Sequence, residues 1–247
     1  MPELYDFRSP RLHVDDDLAG DVTLPLSREQ ANYLINVMRL GAGELVLVFN
    51  GRDGEWRAHV EVTGKRQAHL VVENQLREQT SGPDIHYLFA PLKRARLDYM
   101  VQKATEMGVA RLQPVITRHT ITERVNGERM RANVIEAAEQ CGILRVPTIA
   151  EPERLDRVLM GWNPERRIIF CDESAPITDP VAALRWIGAG PIAVLIGPEG
   201  GFASEERASL IALPFVQRLA MGPRILRADT AAVAALTLVN AVLGDWK

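Results

Sequence analysis

The sequence predicts an α/β protein in which a small β-barrel domain precedes a larger domain built on a parallel sheet. Residues 1–77 carry short segments rich in β-branched residues, whereas from residue 84 onward such segments alternate with helical patterns. Strands that alternate with helices are typical of a parallel sheet covered by helices. The polar, turn-rich stretch EQTSGPD at 78–84 separates the two patterns, so we place the linker there and predict domains at 1–77 and 84–247.

The first domain is predicted to hold one helix among its strands. Ser27 and Gln30 have the spacing of a capping box, and a mainly apolar face follows them, formed by Leu34, Ile35, Val37 and Met38. The segment NGRDG at 50–54 predicts a hairpin turn. The predicted strands are GDVTL, ELVLVF, EWRAHVEVT and AHLVVENQL. A small barrel of this kind often binds RNA or oligosaccharides.

The second domain is predicted to alternate strands and helices. Apolar residues from Leu97 to Met107 recur at helical spacing, and Gly108 is the expected end of that helix. The helix ERMRANVIEAAEQC is expected to end at Gly142. Two further helices are predicted, a capped SEERASL and the final DTAAVAALTLVNAVLG, with strands IHYLFA, RLQPVI, RRIIFC, PIAVLIG and VQRLAMG.

Composition narrows the class of protein. The chain has 247 residues, 47% of them hydrophobic, which is enough for a sizeable core. A net charge of −3 argues against a protein that coats nucleic acid nonspecifically, although residues 81–150 are basic, with 10 basic and 7 acidic residues. No apolar run approaches the roughly 18 residues of a membrane span, and the start MPELYDFRSPRLHVDDD lacks signal-peptide features. We therefore expect a cytoplasmic protein that is not associated with a membrane.

Cysteines and histidines do not form a metal-ligand pattern. Cys141 and Cys171 lie in apolar contexts outside any CxxC pair, and we predict that both are buried thiols. The five histidines include no pair at i, i+4 spacing. We expect no structural metal.

One glycine-rich turn follows a predicted buried strand. The strand AVLIG runs directly into GPEGGF at 197–202, at the carboxyl end of a strand, where α/β sheets bind ligands. No GK[ST] follows the glycines, which excludes a Walker loop, and GAGPIA at 188–193 precedes its strand, which excludes the dinucleotide motif. An ordinary strand-to-helix turn is the alternative.

A second glycine turn, within AMGPRILRADTAAVAAL at 220–236, places Arg224, Arg227 and Asp229 among small and apolar residues. Solvated arginines and an acid that caps the last helix are the alternatives. We predict instead that the turns at 197–202 and 221–227 meet in one pocket whose main chain holds a flat heterocycle.

These two segments, with PLKRARLDYMVQKATEMGV at 91–109, EAAEQCG at 136–142 and ANYLINVMRLGAGE at 31–44, resemble the RsmE family of 16S ribosomal RNA uridine N3-methyltransferases, of the SPOUT superfamily. The resemblance covers nearly the whole chain. It implies a trefoil-knotted α/β domain behind a PUA-like barrel, a homodimer, S-adenosylmethionine as cofactor, and N3 methylation of one uridine in 16S rRNA, within the 30S subunit. The chain departs from the family at Asp229, where relatives commonly have Glu, and by a short stretch between Ile116 and Glu136.

The resemblance also implies roles for individual residues. N3 of uridine carries a proton at neutral pH, and Arg224 or Arg227 would stabilise the anion formed when that proton leaves. Asp229 is the candidate base and Glu199 the alternative acid. The residues expected to bind RNA are Arg8, Arg11, Lys93, Arg94 and Arg96, although a solvated helix face is the alternative for the last three. The expected cofactor-binding residues are Leu195, Ile196, Gly197, Pro198, Gly200, Gly201, Leu219, Met221, Gly222, Ile225, Leu226 and Thr230.

Two rival functions stay open. A SPOUT enzyme could act on a ribose 2′-hydroxyl or on tRNA, and a catalytically silent RNA-binding or ribosome-assembly protein could keep the fold. The Ala-rich helix from Ala231 to Leu243 permits the close packing of a dimer, with ordinary core burial as the alternative.

Overall fold

A computed structural model describes residue 6 and residues 8–64, 67–122, 124–176 and 179–246. The chain divides into two compact units. The first contains Met1–Ser81 and Ala138–Val146, and the second contains Gly82–Ala137 and Pro147–Lys247.

The first unit is built on one mixed five-stranded sheet. Its elements are β1 (Arg11–His13), β2 (Thr23–Pro25), α1 (Arg28–Asn32), β3 (Leu45–Phe49), β4 (Glu55–Gly64) and β5 (Gln67–Arg77). The strand order is β1-β3-β4-β5-β2, with β1 and β3 parallel and the other neighbours antiparallel. Among the residues described, no pairing joins β1 to β2, so closure into a barrel stays a prediction.

Helix α1 begins with the predicted capping box. The Ser27 hydroxyl accepts a hydrogen bond from the Gln30 N–H at 3.1 Å, and the Ser27 N–H donates to Gln30 Oε1 at 3.0 Å. The helix continues into one π-helical turn, Tyr33–Val37. Leu34 is fully buried there and Ile35 packs partly against the core. The predicted apolar face is wrong for Val37 and Met38, which are exposed, because a π-turn holds more residues and shifts later side chains out of α-helical register.

A buried carboxylate joins the two ends of the first unit's sequence. Glu55 Oε1 accepts from Arg11 Nε at 2.9 Å and from Arg77 Nη2 at 2.8 Å, while Oε2 accepts from Arg77 Nε at 2.7 Å. Arg77 also donates to the carbonyl of Gly142, whose φ is +63°. The prediction that Arg11 binds RNA is wrong, because its side chain is buried and committed to Glu55.

The second unit is the predicted parallel sheet with helices. Its elements are β6 (Ile85–Phe89), α2 (Arg94–Glu106), β7 (Arg111–Ile116), α3 (Gly127–Cys141, whose last residues group with the first unit), β8 (Thr148–Ile149), β9 (Glu153–Arg154), α4 (Leu155–Met160), β10 (Arg167–Cys171), α5 (Pro180–Arg185), β11 (Ile192–Ile196), α6 (Ser204–Ile211), β12 (Val216–Leu219) and α7 (Ala228–Val242). The strand order is β12-β10-β11-β6-β7-β8, all parallel, and β9 pairs with β7.

The order of the strands determines which loops are neighbours. β10 lies between β11 and β12, with Phe170 opposite Leu195 and Cys171 opposite Leu219. Because all three strands run in one direction, the loops that follow them leave the same edge of the sheet. The trefoil knot implied by the resemblance stays a prediction.

The two cysteines differ in exposure. Cys171 is buried as predicted, and burial raises the pKa of its thiol to about 12. The prediction for Cys141 is wrong, because this last residue of α3 faces solvent. Within the described ranges no group of three or more His, Cys, Asp or Glu side chains is arranged to hold a metal ion. No described helix has the length and apolar character needed to cross a membrane.

Replacing Glu55 with Gln tests the buried ion cluster. We expect the free energy of unfolding to fall by about 3 kcal/mol, because the variant removes the negative charge that two desolvated guanidinium groups share. Urea unfolding of the full chain measures this change. The matched control is Asp17→Asn, whose exposed carboxylate pairs with Arg52. Equal, small effects of the two substitutions would contradict the account.

Candidate functional site

The two glycine turns line one cavity of about 460 Å³ in the second unit. The turn after β11 contributes the residues from Ile196 to Phe202 except Gly200, and the turn after β12 contributes Leu219 to Ala228. The loop after β10 adds the third wall, and Arg96 of α2 also lines the cavity. The structure therefore shows the two turns meeting in one pocket, as predicted from their position after parallel strands.

The first turn needs glycine for two different reasons. A Cβ at Gly197 would lie 2.4 Å from Cε2 of Phe202, whose ring stands edge-on to Phe170 at 5.0 Å between centroids. Gly201 has φ +69°, a backbone conformation that side chains other than glycine rarely adopt. Glycine at position 197 therefore makes room for the Phe202 ring, and glycine at position 201 permits the positive φ of the turn.

The outer side of the first turn is held by residues remote in sequence. His119 Nδ1 lies 3.2 Å from the Gly200 carbonyl oxygen and 3.1 Å from that of Gly201. The Glu206 carboxylate accepts from the main-chain N–H of Arg118 at 2.8 Å and from that of Ala203 at 3.1 Å. The predicted cap of α6 thus comes from Glu206 and not from a hydroxyl at position 204.

The second turn carries the predicted arginines but not the predicted acid. Arg224 and Arg227 are exposed and line the cavity. Asp229 is not among the lining residues, and its Oδ1 accepts the N–H of Thr230 at 3.0 Å. The alternative that Asp229 caps α7 is also wrong, because Arg227 occupies the cap position without a side-chain bond.

The loop after β10 was missed by sequence reasoning. Asp172 is 2% exposed and accepts from Arg207 at 3.1 and 3.0 Å, from Arg218 Nε at 2.8 Å, and from the Ser174 N–H at 3.0 Å. Burial by itself would raise the pKa of this carboxyl, but hydrogen bonds from Arg207 and Arg218 outweigh it and hold the pKa below its usual value. Residue 197 was predicted to lie in a site because it follows a buried strand. Asp172 follows the buried strand RRIIFC in the same way, so the same rule applies to it.

An ion pair links α2 to the first turn. The guanidinium of Arg96 binds the Glu199 carboxylate, and both side chains are about two-fifths exposed. Both residues line the cavity. The ion pair with Arg96 therefore holds the Glu199 carboxylate at the cavity.

The structure separates the predicted site residues into two groups. Those that line the cavity are Arg96, Ile196, Gly197, Pro198, Glu199, Gly201, Leu219, Met221, Gly222, Arg224, Ile225, Leu226 and Arg227. Those outside its lining are Leu195, Gly200, Asp229 and Thr230. The side chain of Leu195 is fully buried in the core with Leu88 and Phe170, so side-chain contact with a ligand there is excluded. Lys93 and Arg94 are exposed at the start of α2, and Arg8 is exposed in the first unit.

Comparison with known proteins gives a consistent result. Residues 79–240 match a family model described as an RNA methyltransferase domain, and residues 26–73 match one described as an RNA methyltransferase PUA domain. The chain is 30% identical to Ribosomal RNA small subunit methyltransferase E of Synechocystis, over 94% of this chain and 78% of the relative. It is 28% identical to the protein of that name from Rickettsia conorii, over 93% of this chain and 94% of the relative.

A solved structure is also similar. Ribosomal RNA small subunit methyltransferase E of Neisseria gonorrhoeae, bound to S-adenosyl methionine, superimposes with a TM-score of 0.88 at 25% identity, covering 97% of this chain and all of that one. The predicted fold class, a parallel-sheet α/β domain preceded by a PUA-like domain, is confirmed.

Replacing Asp172 with Asn tests the buried carboxylate. At pH 7 we expect the free energy of unfolding to fall by about 3 kcal/mol. A carboxyl whose pKa is lowered by folding stabilises the protein above its unfolded pKa of about 3.9, and this contribution is lost as the pH falls through the folded value. The difference between parent and variant should therefore shrink below about pH 4.

Urea unfolding at several pH values measures that difference. Asp156→Asn is the matched control, since this carboxylate pairs with Arg154 on the exposed surface. A penalty for Asp172→Asn that stays constant into acid would contradict the assignment.

Proposed function

The chain belongs to the RNA methyltransferase family whose model spans residues 79–240, and from this premise we propose that it methylates N3 of one uridine in 16S ribosomal RNA. The relatives named above carry the name of a small-subunit ribosomal RNA methyltransferase. One observation supports the proposal most strongly: two glycine turns and two arginines border a single cavity at the carboxyl edge of the sheet.

The cavity suits S-adenosylmethionine, which is the methyl donor of this protein. A volume of about 460 Å³ is within the range of small-molecule sites, and the walls combine bare main chain with apolar side chains. A Cβ at Gly197 would clash with the ring of Phe202, which also lines the cavity, so glycine allows the turn to pack against that ring. The residues proposed to hold the donor are Ile196, Gly197, Pro198, Gly201, Leu219, Met221, Gly222, Ile225 and Leu226. When bound, the donor supplies a methyl group activated by its sulfonium.

Arg224 and Arg227 are proposed to act on the uridine. Loss of the N3 proton spreads negative charge onto the two carbonyl oxygens of the base. Exposed guanidinium groups beside the cavity are suited to stabilise that charge, as the donors of an oxyanion hole do. The arginines would also orient the base so that N3 faces the methyl group.

The placement of the two carboxylates favours Glu199 as the acceptor of the N3 proton. Glu199 lines the cavity, whereas Asp229 does not. Asp229 accepts the Thr230 N–H and Glu199 is ion-paired with Arg96, so position relative to the cavity is what separates the two carboxylates. This reverses the preference for Asp229 that the sequence alone suggested.

Basic residues at the start of α2 are proposed to bind the RNA backbone. Lys93 and Arg94 are exposed, and Arg96 lies at the cavity. Phosphate contacts by such residues fix the position of an RNA but do not read its sequence. The target base must leave its stack to reach the cavity. Arg8 and the PUA domain offer further contacts with RNA.

We place the reaction on the 30S subunit, in the cytoplasm where ribosomes assemble, and propose a homodimer without a metal. The Ala-rich face of α7 does not support the dimer, because Ala231, Ala235 and Leu236 are buried within this chain. An exposed apolar residue such as Trp186, at 90% exposure, is a better candidate for a subunit contact.

Nucleoside analysis tests the proposed reaction. Small subunits from a strain that lacks the modification are incubated with the protein and S-adenosylmethionine, and their 16S rRNA is digested for mass spectrometry. N3-methyluridine is the expected product. A 2′-O-methylated nucleoside would establish the rival enzyme, and absence of donor binding by calorimetry would favour a silent RNA-binding protein.

Two variants refine the same assay. Arg224→Ala and Arg227→Ala are expected to lower the rate with donor at saturation, by about 10² to 10³ for the arginine that contacts the base. Arg154→Ala, on the exposed surface of the second unit, is the control and should keep the parent rate.

A further inference from the structure

The loop that follows β7 holds the first glycine turn from outside. His119 in this Thr117–Thr120 loop directs Nδ1 at two successive carbonyl oxygens, those of Gly200 and Gly201, at 3.2 and 3.1 Å. Carbonyl oxygens only accept hydrogen bonds, so Nδ1 must carry the proton. His119 is not among the residues that line the cavity.

The loop is itself well fixed. The Thr117 N–H donates to Thr120 Oγ1 at 2.9 Å, and the Thr120 N–H donates to the Thr117 carbonyl at 3.1 Å. Glu206 then bridges the main-chain N–H groups of Arg118 and Ala203, at 2.8 and 3.1 Å. The imidazole is therefore attached to a loop that is anchored at the start of α6.

This anchoring fixes the orientation of two peptide planes in the turn. A peptide unit is planar, so holding its carbonyl also sets the direction of its N–H. The segment contains adjacent glycines, which have the greatest freedom to lose on folding or binding. A side chain that fixes such a segment in advance lowers the cost of ordering it around a ligand.

We propose that His119 is a positioning residue for the methyl-donor site, acting through the carbonyls of Gly200 and Gly201. The inference rests on the proposed function. The two residues Gly200 and His119 also pack together, since a Cβ built at Gly200 would lie 3.4 Å from His119 Cβ, which is close to ordinary van der Waals contact.

Calorimetric titration of S-adenosylmethionine into the full chain tests this proposal. His119→Phe keeps a ring but removes the donor, and the Kd should rise about fivefold to tenfold. His119→Asn places an amide N–H near the position of Nδ1 and should keep the Kd within about twofold of the parent. With donor at saturation, kcat should change little in either variant, while KM for the donor follows the Kd.

Arg118→Ala is the matched control, because this neighbour is attached to Glu206 through its main-chain N–H and its side chain is exposed. Its Kd should equal that of the parent. The proposal is overturned if His119→Phe binds as the parent does, or if His119→Asn binds as weakly as His119→Phe. Those results leave the proposed function intact, whereas failure of the parent chain to bind the donor removes both.

Discussion

The cavity depends on the parallel pairing of β10 with both β11 and β12. This pairing brings the carboxyl ends of three strands to one edge, although the loops that follow them are far apart in the chain. Each loop contributes a different feature to the cavity: glycine main chain after β11, two arginines after β12, and the buried carboxylate of Asp172 after β10. The cavity exists because these loops have no other edge to leave from.

Local patterns predicted most of the fold. Strands with β-branched residues, the Ser27–Gln30 capping box and the helix ends at Gly108 and Gly142 all follow from interactions within a few residues. Elements of two to six residues such as β8, β9, α4 and α5 are too short to show a period. Burial was predicted less well, because it depends on partners elsewhere: Arg11 is enclosed by Glu55, 44 residues away.

The candidate site was also predicted only in part, because some of its features depend on distant partners. Strand direction places the two glycine turns at the same edge of the sheet, whereas the strand order that makes them neighbours is known only from the structure. The residues that hold the loops could not, since Asp172 finds Arg207 35 residues away and His119 finds Gly201 82 residues away. Sequence reasoning also preferred Asp229 to Glu199, because proximity along the chain to Arg227 does not reveal that Asp229 lies outside the cavity lining. The direction of a strand can be predicted from the local sequence, whereas the partners of a side chain can be identified only from the tertiary structure.

Peptide-resolved hydrogen exchange, with and without S-adenosylmethionine, examines directly whether both turns form one binding site. The account predicts that amides in 197–203 and in 220–227 slow their exchange together, over the same range of donor concentration. Protection of only one of these segments, or of neither while the donor is bound, would contradict it.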